Sequence, residues 1–226
     1  MAYRSDTIIQ LPQFGLVNAY LVREDDGLTL IDAQMPRATS AILAAAKAEG
    51  ASIKRIAITH VHPDHIGSVD ALTKALPGVE FIVPRRDEEL LTGKQTVQPG
   101  EPKGKLLPHT VSVKSTPTRL VDDGDHVGSL QVVATPGHSP GHVTYFDPRS
   151  RTAFCGDVFS TVGGVATTAG PYLRFPLPGF FTWHRPTELA SARRVAELDP
   201  AVLGPGHGRV VTDPAAAIAA AIARSS

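Results

Sequence analysis

The sequence predicts a layered α/β domain. Short apolar runs of strand type alternate with helical patterns. The order strand-then-helix occurs twice along the chain, which suits sheets covered by helices. The composition is that of an ordinary globular protein, with 42% hydrophobic and 19% charged residues. At 226 residues, one domain spanning 1–226 is the expectation.

The elements can be justified in order. "GLVNAYLVRE" and "GLTLIDA" are β-rich and meet at "DDG", a hairpin signal. "RATSAILAAAKAEG" reads as an Ala-rich helix stopped by Gly50. "IKRIAITH" is a short buried strand, "IGSVDALTKALPG" a second helix closed by Pro77 and Gly78, and "VEFIVP" the next strand. Residues 92–118 are rich in Pro, Gly, Lys and Thr and read as a loop or lid. "RLVDDGDHVGSLQVVATPGH" reads as strands broken at turns, with Asp122–Asp125 a turn rather than a calcium loop. "GHVTYFDPRSRTAFCGDVF" is a hairpin turning at Asp147 and Pro148. A second irregular stretch, 160–185, carries Tyr172, Phe175, Phe180, Phe181 and Trp183. "PTELASARRVAEL" is a helix with Pro186 near its start, "AVLG" a strand, and "DPAAAIAAAIARS" a closing helix. No exact repeat and no domain linker is visible.

Composition narrows the function. Lys+Arg and Asp+Glu both number 22, so the formal net charge is zero, and nothing is set up to hold a polyanion. Cys155 is the only cysteine, which excludes an internal disulfide and a Cys-based zinc cluster. Beside Gly156 on a strand, it reads as a small buried hydrophobe. The N-terminal "MAYRSDTIIQLPQF" has no apolar signal region, and no run reaches the ~18 residues of a membrane span. A cytoplasmic protein acting on a small molecule is expected, with neither nucleic acid nor membrane as partner.

"AITHVHPDHIGSVDAL" carries the chemistry. His60, His62, Asp64 and His65 fall within six residues, where an apolar strand turns into a helix. His60 and His62 alternate along an extended backbone, so both can point to one side. Asp64 and His65 follow Pro63. One histidine at a strand end would read as solvated, but four such groups packed together repel and resist burial unless a cation joins them. Imidazole and carboxylate suit zinc and its first-row neighbours.

"THVHPDH" resembles the central metal motif of the metallo-β-lactamase-fold hydrolases. The resemblance extends to "ATPGHSPGH" with His138, "TAFCGD" with Asp157, "AVLGPGHG" with His207, and "LTLIDA" with Asp32, so it spans most of the chain. It implies a four-layer αβ/βα sandwich, with two mixed β-sheets flanked by helices. It implies two divalent ions, zinc first, with iron or manganese also compatible with these ligands. His60, His62 and His138 would hold one ion. Asp64, His65 and His207 would hold the other, and Asp157 would bridge them. A shared hydroxide would be the nucleophile, with Asp64 accepting its hydrogen bond or carrying a proton. Asp32 and His142 would support the ligands without binding metal. His109 and His126 read as solvated loop residues.

The resemblance also narrows the reaction. Lactam-cleaving members typically have cysteine at the bridging position and lack the second histidine of the D-H pair. Here Asp157 and His65 stand instead. Nucleic-acid processing members usually carry large insertions or basic surfaces, and flavin-linked diiron members have glutamate where His62 stands. Glutathione-thioester hydrolases normally add a helical segment, which the 19 residues after His207 do not supply. Lactonases share the ligand set, and Tyr172, Phe181 and His184 would then line an acyl pocket, with Tyr172 a carbonyl donor. The same aromatic stretch would equally serve a homodimer interface. The expectation is a dinuclear metal hydrolase of a small ester, lactone or thioester. The alternatives are an iron-dependent oxygenase of the persulfide dioxygenase type and a phosphoesterase.

Overall fold

The structure is a computed structural model that describes residues 2–94, 96–104, 106 and 113–226. His109 lies outside these residues. An antiparallel unit opens the chain, β1 (Ile8–Gln13), β2 (Val17–Glu24) and β3 (Gly27–Ile31). Then α1 (Thr39–Ala48) leads to β4 (Ile53–Ala57), parallel to β3. Two short helices, α2 (Pro63–Ile66) and α3 (Val69–Ala75), precede β5 (Glu80–Pro84). α4 (Arg85–Leu91) follows at once, and β6 (Arg119–Val121) pairs parallel to β5.

The second part begins with β7 (His126–Val127), β8 (Leu130–Ala134), β9 (Val143–Asp147) and β10 (Thr152–Ser160), an antiparallel meander. After β11 (Ala166–Thr167) come α5 (Leu177–Phe181) and α6 (Arg185–Glu197). β12 (Val202–His207) lies parallel to β10, and β13 (Val211–Thr212) and α7 (Ala215–Ser225) finish the described fold.

The strands follow one path, β6-β5-β4-β3-β2-β12-β10-β9-β8-β7. Its two mixed halves join through one pair, His207 opposite Val17. Alternation along the strands sorts side chains into layers. Leu28, Leu30, Phe81 and Val83 point outward to Ile42, Leu72 and Leu90 of the helices. Tyr20, Val22, Ile31 and Ile82 point inward and meet Val132, Tyr145 and Phe154 of the other half. Ala153, Cys155 and Leu203 face Ala192, Val195 and Ile218 of α6 and α7. Three apolar cores between four layers make the expected sandwich, although the two sheets are one curled sheet at the His207–Val17 seam.

Several local expectations need correction. The helix read from Ile66 is two pieces, because Gly67 and Ser68 break it. The Gly67 N–H donates to the Gln34 carbonyl at 2.8 Å, and a Cβ there would strike Pro36. The Ser68 hydroxyl donates to the Met35 carbonyl at 2.8 Å. Asp157 lies inside β10 rather than after it, beside a bulge at Gly156. The strand read as "AVLG" runs on to His207. β1, α4 and α5 are elements that the sequence pattern does not declare. The hairpins at "DDG" and Asp147-Pro148 and the turn at Asp122–Asp125 form as expected, and His126 is exposed.

Candidate metal centre

Strand direction explains why residues far apart in sequence meet. β3 and β12 both run antiparallel to β2, so they run the same way. β4 is parallel to β3, β10 to β12, and β8 follows from the meander. The C-terminal ends of β3, β4, β8, β10 and β12 therefore share one edge. Asp32 follows β3, the stretch from Thr59 to His65 follows β4, and His138 follows β8. Asp157 sits in the later part of β10, and His207 ends β12.

The side chains converge there. His60 lies with its ring centroid 4.1 Å from His65, 4.6 Å from His62 and 4.9 Å from His138. Asp157 approaches His207 Nε2 at 3.1 Å and both His65 Nε2 and His138 Nε2 at 3.4 Å. Asp64 Oδ2 is 3.3 Å from His207 Nε2. The donor atoms form three sets, each within 4.8 Å: His60, His62 and His138; His60, His65 and Asp157; and Asp64, His65 and His207.

Hydrogen-bond partners assign the tautomers. The Thr59 hydroxyl lies 2.9 Å from Asp32 Oδ2 and donates to it, so the His60 Nδ1–H, 3.1 Å away, donates to Thr59 Oγ1. The His65 Nδ1–H donates to Asp32 at 2.8 Å. The Thr182 hydroxyl donates to the Thr168 carbonyl at 2.7 Å and so accepts from His138 Nδ1–H at 3.1 Å. The His207 Nδ1–H donates to the Leu16 carbonyl at 3.2 Å. Four imidazoles thus have their Nδ1 protons fixed outside the cluster and turn Nε2 inward, where a bound cation would take the place of any second proton. His62 presents Nδ1, 2.9 Å from His138 Nε2.

This arrangement fits a cation. His60 Nε2, His65 Nε2 and Asp157 Oδ1 are buried and have no hydrogen-bond partner, an expensive state that a bound ion would relieve. Charge is strongly coupled here. Burial and the neighbouring imidazoles push His60 down, and burial with His62 does the same to His138. Burial opposes charge on His207, but Asp157 and Asp64 outweigh it and lift the group to about 10. Asp157 is held well below the carboxylate range by His207 and His65 against the cost of burial. Gly206 supplies the room, since a Cβ there would fall on Asp157 Oδ1.

Supporting residues surround the cluster. Asp32 sits at φ 59° and receives the Thr59 N–H at 2.8 Å besides its bond to His65. His142 spends both ring nitrogens, one on Thr135 Oγ1 at 2.9 Å and one accepting the Asp157 N–H at 3.1 Å. Burial pushes it down to about 3, so it stays neutral. Two buried carboxyls escaped the sequence reading. Asp87 on α4 accepts from Val61 N–H at 3.2 Å, the Ser139 hydroxyl at 2.8 Å and Gly141 N–H at 2.7 Å. It thereby ties the His60–His62 loop to the His138–His142 turn. Glu188 on α6 lies 3.0 Å from Thr168 Oγ1, whose hydroxyl donates to the Asp157 carbonyl at 2.6 Å. One hydroxyl proton cannot serve both, so Glu188 donates as a neutral acid, and burial raises it to about 8. In sequence both look like ordinary acidic residues of charged helices. Only their helix positions facing a loop distinguish them.

Of the residues expected on the substrate side, Phe181 is exposed and adjoins Thr182. The Tyr172 hydroxyl donates to the Gly163 carbonyl at 3.0 Å. His184 caps α6 through Thr187.

The sequence profile described as "Metallo-beta-lactamase superfamily" matches residues 12–207. The chain belongs to that superfamily. As a member of it, the protein is a metal-dependent hydrolase. It is 35% identical to the uncharacterized protein YobT of Bacillus subtilis over 92% of this chain and 90% of that one. It is 30% identical to the probable metallo-hydrolase YflN of the same organism, over 87% and 82%. The hydroxyacylglutathione hydrolase of Brucella anthropi is 29% identical over 82% and 70%. Among solved structures, TTHA1623 in a di-iron-bound form is 28% identical with a TM-score of 0.64, covering 96% of each chain. The BLEG-1 B3 metallo-beta-lactamase, 24% identical with a TM-score of 0.67 over 92% and 95%, shares the fold. Among the described residues, no helix is long and apolar enough to cross a membrane.

Proposed function

We propose that the protein hydrolyses a small ester, lactone or thioester with the help of two divalent ions, zinc in the first instance. The observation that carries the reading is the set of four imidazoles with outward protons and inward Nε2 atoms, grouped around the buried Asp157. His60, His62 and His138 would hold one ion, Asp64, His65 and His207 the other, and Asp157 would serve both. Bound there, such ions supply a Lewis acid for the substrate oxygen and a water that is nucleophilic near neutral pH.

The chain's own residues do the rest. Asp32 and Thr59 orient His65 and His60. Asp64 is about one-third exposed at its side chain, and His65 and His207 hold it in the charged form against burial. That charged, partly exposed state supports a role for Asp64 in accepting a proton. The zero net charge favours a small-molecule substrate over nucleic acid, and a cytoplasmic setting goes with the reduced lone Cys155.

The test is elemental analysis of purified protein, paired with a panel of lactones, thioesters, aryl esters and phosphoesters. About two zinc ions per chain with turnover of one acyl class is the expected result. Iron near one per chain, oxygen consumption and no hydrolysis would replace this reading with the oxygenase.

A further inference from the structure

Asp157 is the donor assigned to both ions, yet the sheet does not hold its peptide. Pairing of β10 with β9 ends at Phe154. Along β12 the register passes from Gly156 opposite Pro205 to Ser160 opposite His207, and along β11 it begins at Phe159. In none of these ladders does a residue stand opposite Asp157. Its backbone groups are buried in the bulge and need partners from elsewhere. Two side chains supply them. His142 accepts the Asp157 N–H at 3.1 Å, and the Thr168 hydroxyl donates to the Asp157 carbonyl at 2.6 Å.

Thr168 also reaches a second donor of the cluster. Its carbonyl accepts the Thr182 hydroxyl at 2.7 Å, and Thr182 Oγ1 accepts from His138 Nδ1–H at 3.1 Å. Its N–H donates to the Val158 carbonyl at 3.2 Å, just where the chain leaves β11. The Glu188 carboxyl meets the remaining side of its hydroxyl at 3.0 Å. Thr168 is buried, and each of its polar atoms is engaged. Thr167 beside it is buried too, but its hydroxyl lies 2.6 Å from Ser225 of α7, away from the cluster. Adjacent threonines thus serve opposite sides of one short strand.

We propose that Thr168 is a positioning residue that yokes Asp157 to His138. Its hydroxyl arm fixes the carboxylate assigned to both ions, and its carbonyl arm, through Thr182, fixes an imidazole assigned to one. This rests on the two-ion part of the reading above and adds a residue that acts only through the donors. The arms have different consequences. Loss of the hydroxyl leaves the Asp157 carbonyl buried without a donor, which loosens both ions. Loss of the Thr182 hydroxyl frees the His138 ring, which loosens only the ion of His60, His62 and His138.

The experiment is titration of the metal-free full-length protein with cobalt(II), followed by the visible absorption of the bound ion and by chelator competition. Thr168→Val keeps the shape and removes the hydroxyl, while Thr168→Ser keeps the hydroxyl. Wild type is expected to take up two ions. Thr168→Val should bind both about tenfold or more weakly, with altered visible bands, and Thr168→Ser should stay within about twofold of wild type. Thr182→Val should weaken one ion alone. Thr167→Val, which removes the neighbouring hydroxyl, should titrate like wild type. If the valine variant at Thr168 titrates like that at Thr167, or if serine does not restore binding, the inference is overturned. Should Thr168→Val fail to fold, Thr182→Val decides, and two unchanged cobalt sites there overturn the yoke. The two readings fail separately. Wild type that takes up fewer than two ions removes the two-ion centre and the yoke with it. Two ions in wild type with unchanged affinity in Thr168→Val remove the yoke alone.

Discussion

Asp32 shows how one side chain can order a candidate metal centre from outside its donor sets. Its carboxylate holds Thr59 and His65, and through Thr59 it sets the His60 tautomer. Its left-handed backbone is a conformation aspartate tolerates better than most residues. Asp32→Ala should weaken metal binding by roughly 10–100-fold, measured by competition with a chromophoric chelator. Unchanged affinity would show that packing alone orients the imidazoles. Glu188 makes a pH prediction. Its ordinary value is 4.5, and burial raises it to about 8 in the folded chain. The native state keeps a proton that the unfolded chain gives up, so this group's stabilisation is present below about 4.5 and is lost as pH rises through about 8. In Glu188→Gln, which mimics the neutral acid, that loss disappears. Urea unfolding of chelator-treated wild type and variant between pH 5 and 9 should converge at the acid end. At the alkaline end the variant should be the more stable.

Among the elements, α4 has a role out of proportion to its length. Asp87 ends three polar contacts from two ligand-bearing loops, and burial raises it to about 6 despite those donors. Asp87→Ala would leave two buried amides and a hydroxyl without an acceptor. A loss of about 2–4 kcal/mol is expected in urea unfolding, with Asp87→Asn costing less because one oxygen remains. The sequence hides this helix for a physical reason. "RRDEELL" is short and charged, and it starts straight from a strand at Pro84. β1 is obscured by Pro12 and lies off the main strand path, paired with β2. α5 contains Pro178 and Gly179, which argue against a helix. By contrast, the hairpins declare themselves in Asp, Gly and Pro, and His60, His62, Asp64 and His65 in their spacing. His138, Asp157 and His207 are legible through the resemblance of their stretches to the family's motifs, each near a strand end with glycine close by. Asp87 and Glu188 act on backbone amides and a hydroxyl across the tertiary fold, and no local pattern records such contacts.

For the whole molecule, the ions and the fold should be energetically linked. His60, His62, Asp64 and His65 belong to the first half, while His138, Asp157 and His207 belong to the second, and a single strand pair connects the two sheets. With metal at about 1,000 times its dissociation constant, stabilisation near 4 kcal/mol is expected. Chelation should then lower the thermal midpoint by roughly 10 °C for a chain of this size. In Asp157→Ala the chelator should produce a much smaller drop, as scanning calorimetry would show. The seam at His207 and Val17 has a temporal consequence as well. During synthesis the four candidate donors of "HVHPDH" leave the ribosome long before His207 exists. The histidine that completes the cluster also closes the sheet. A nascent chain therefore offers incoming ions only a partial set of donors, and hydrolytic competence begins when the two halves have locked together.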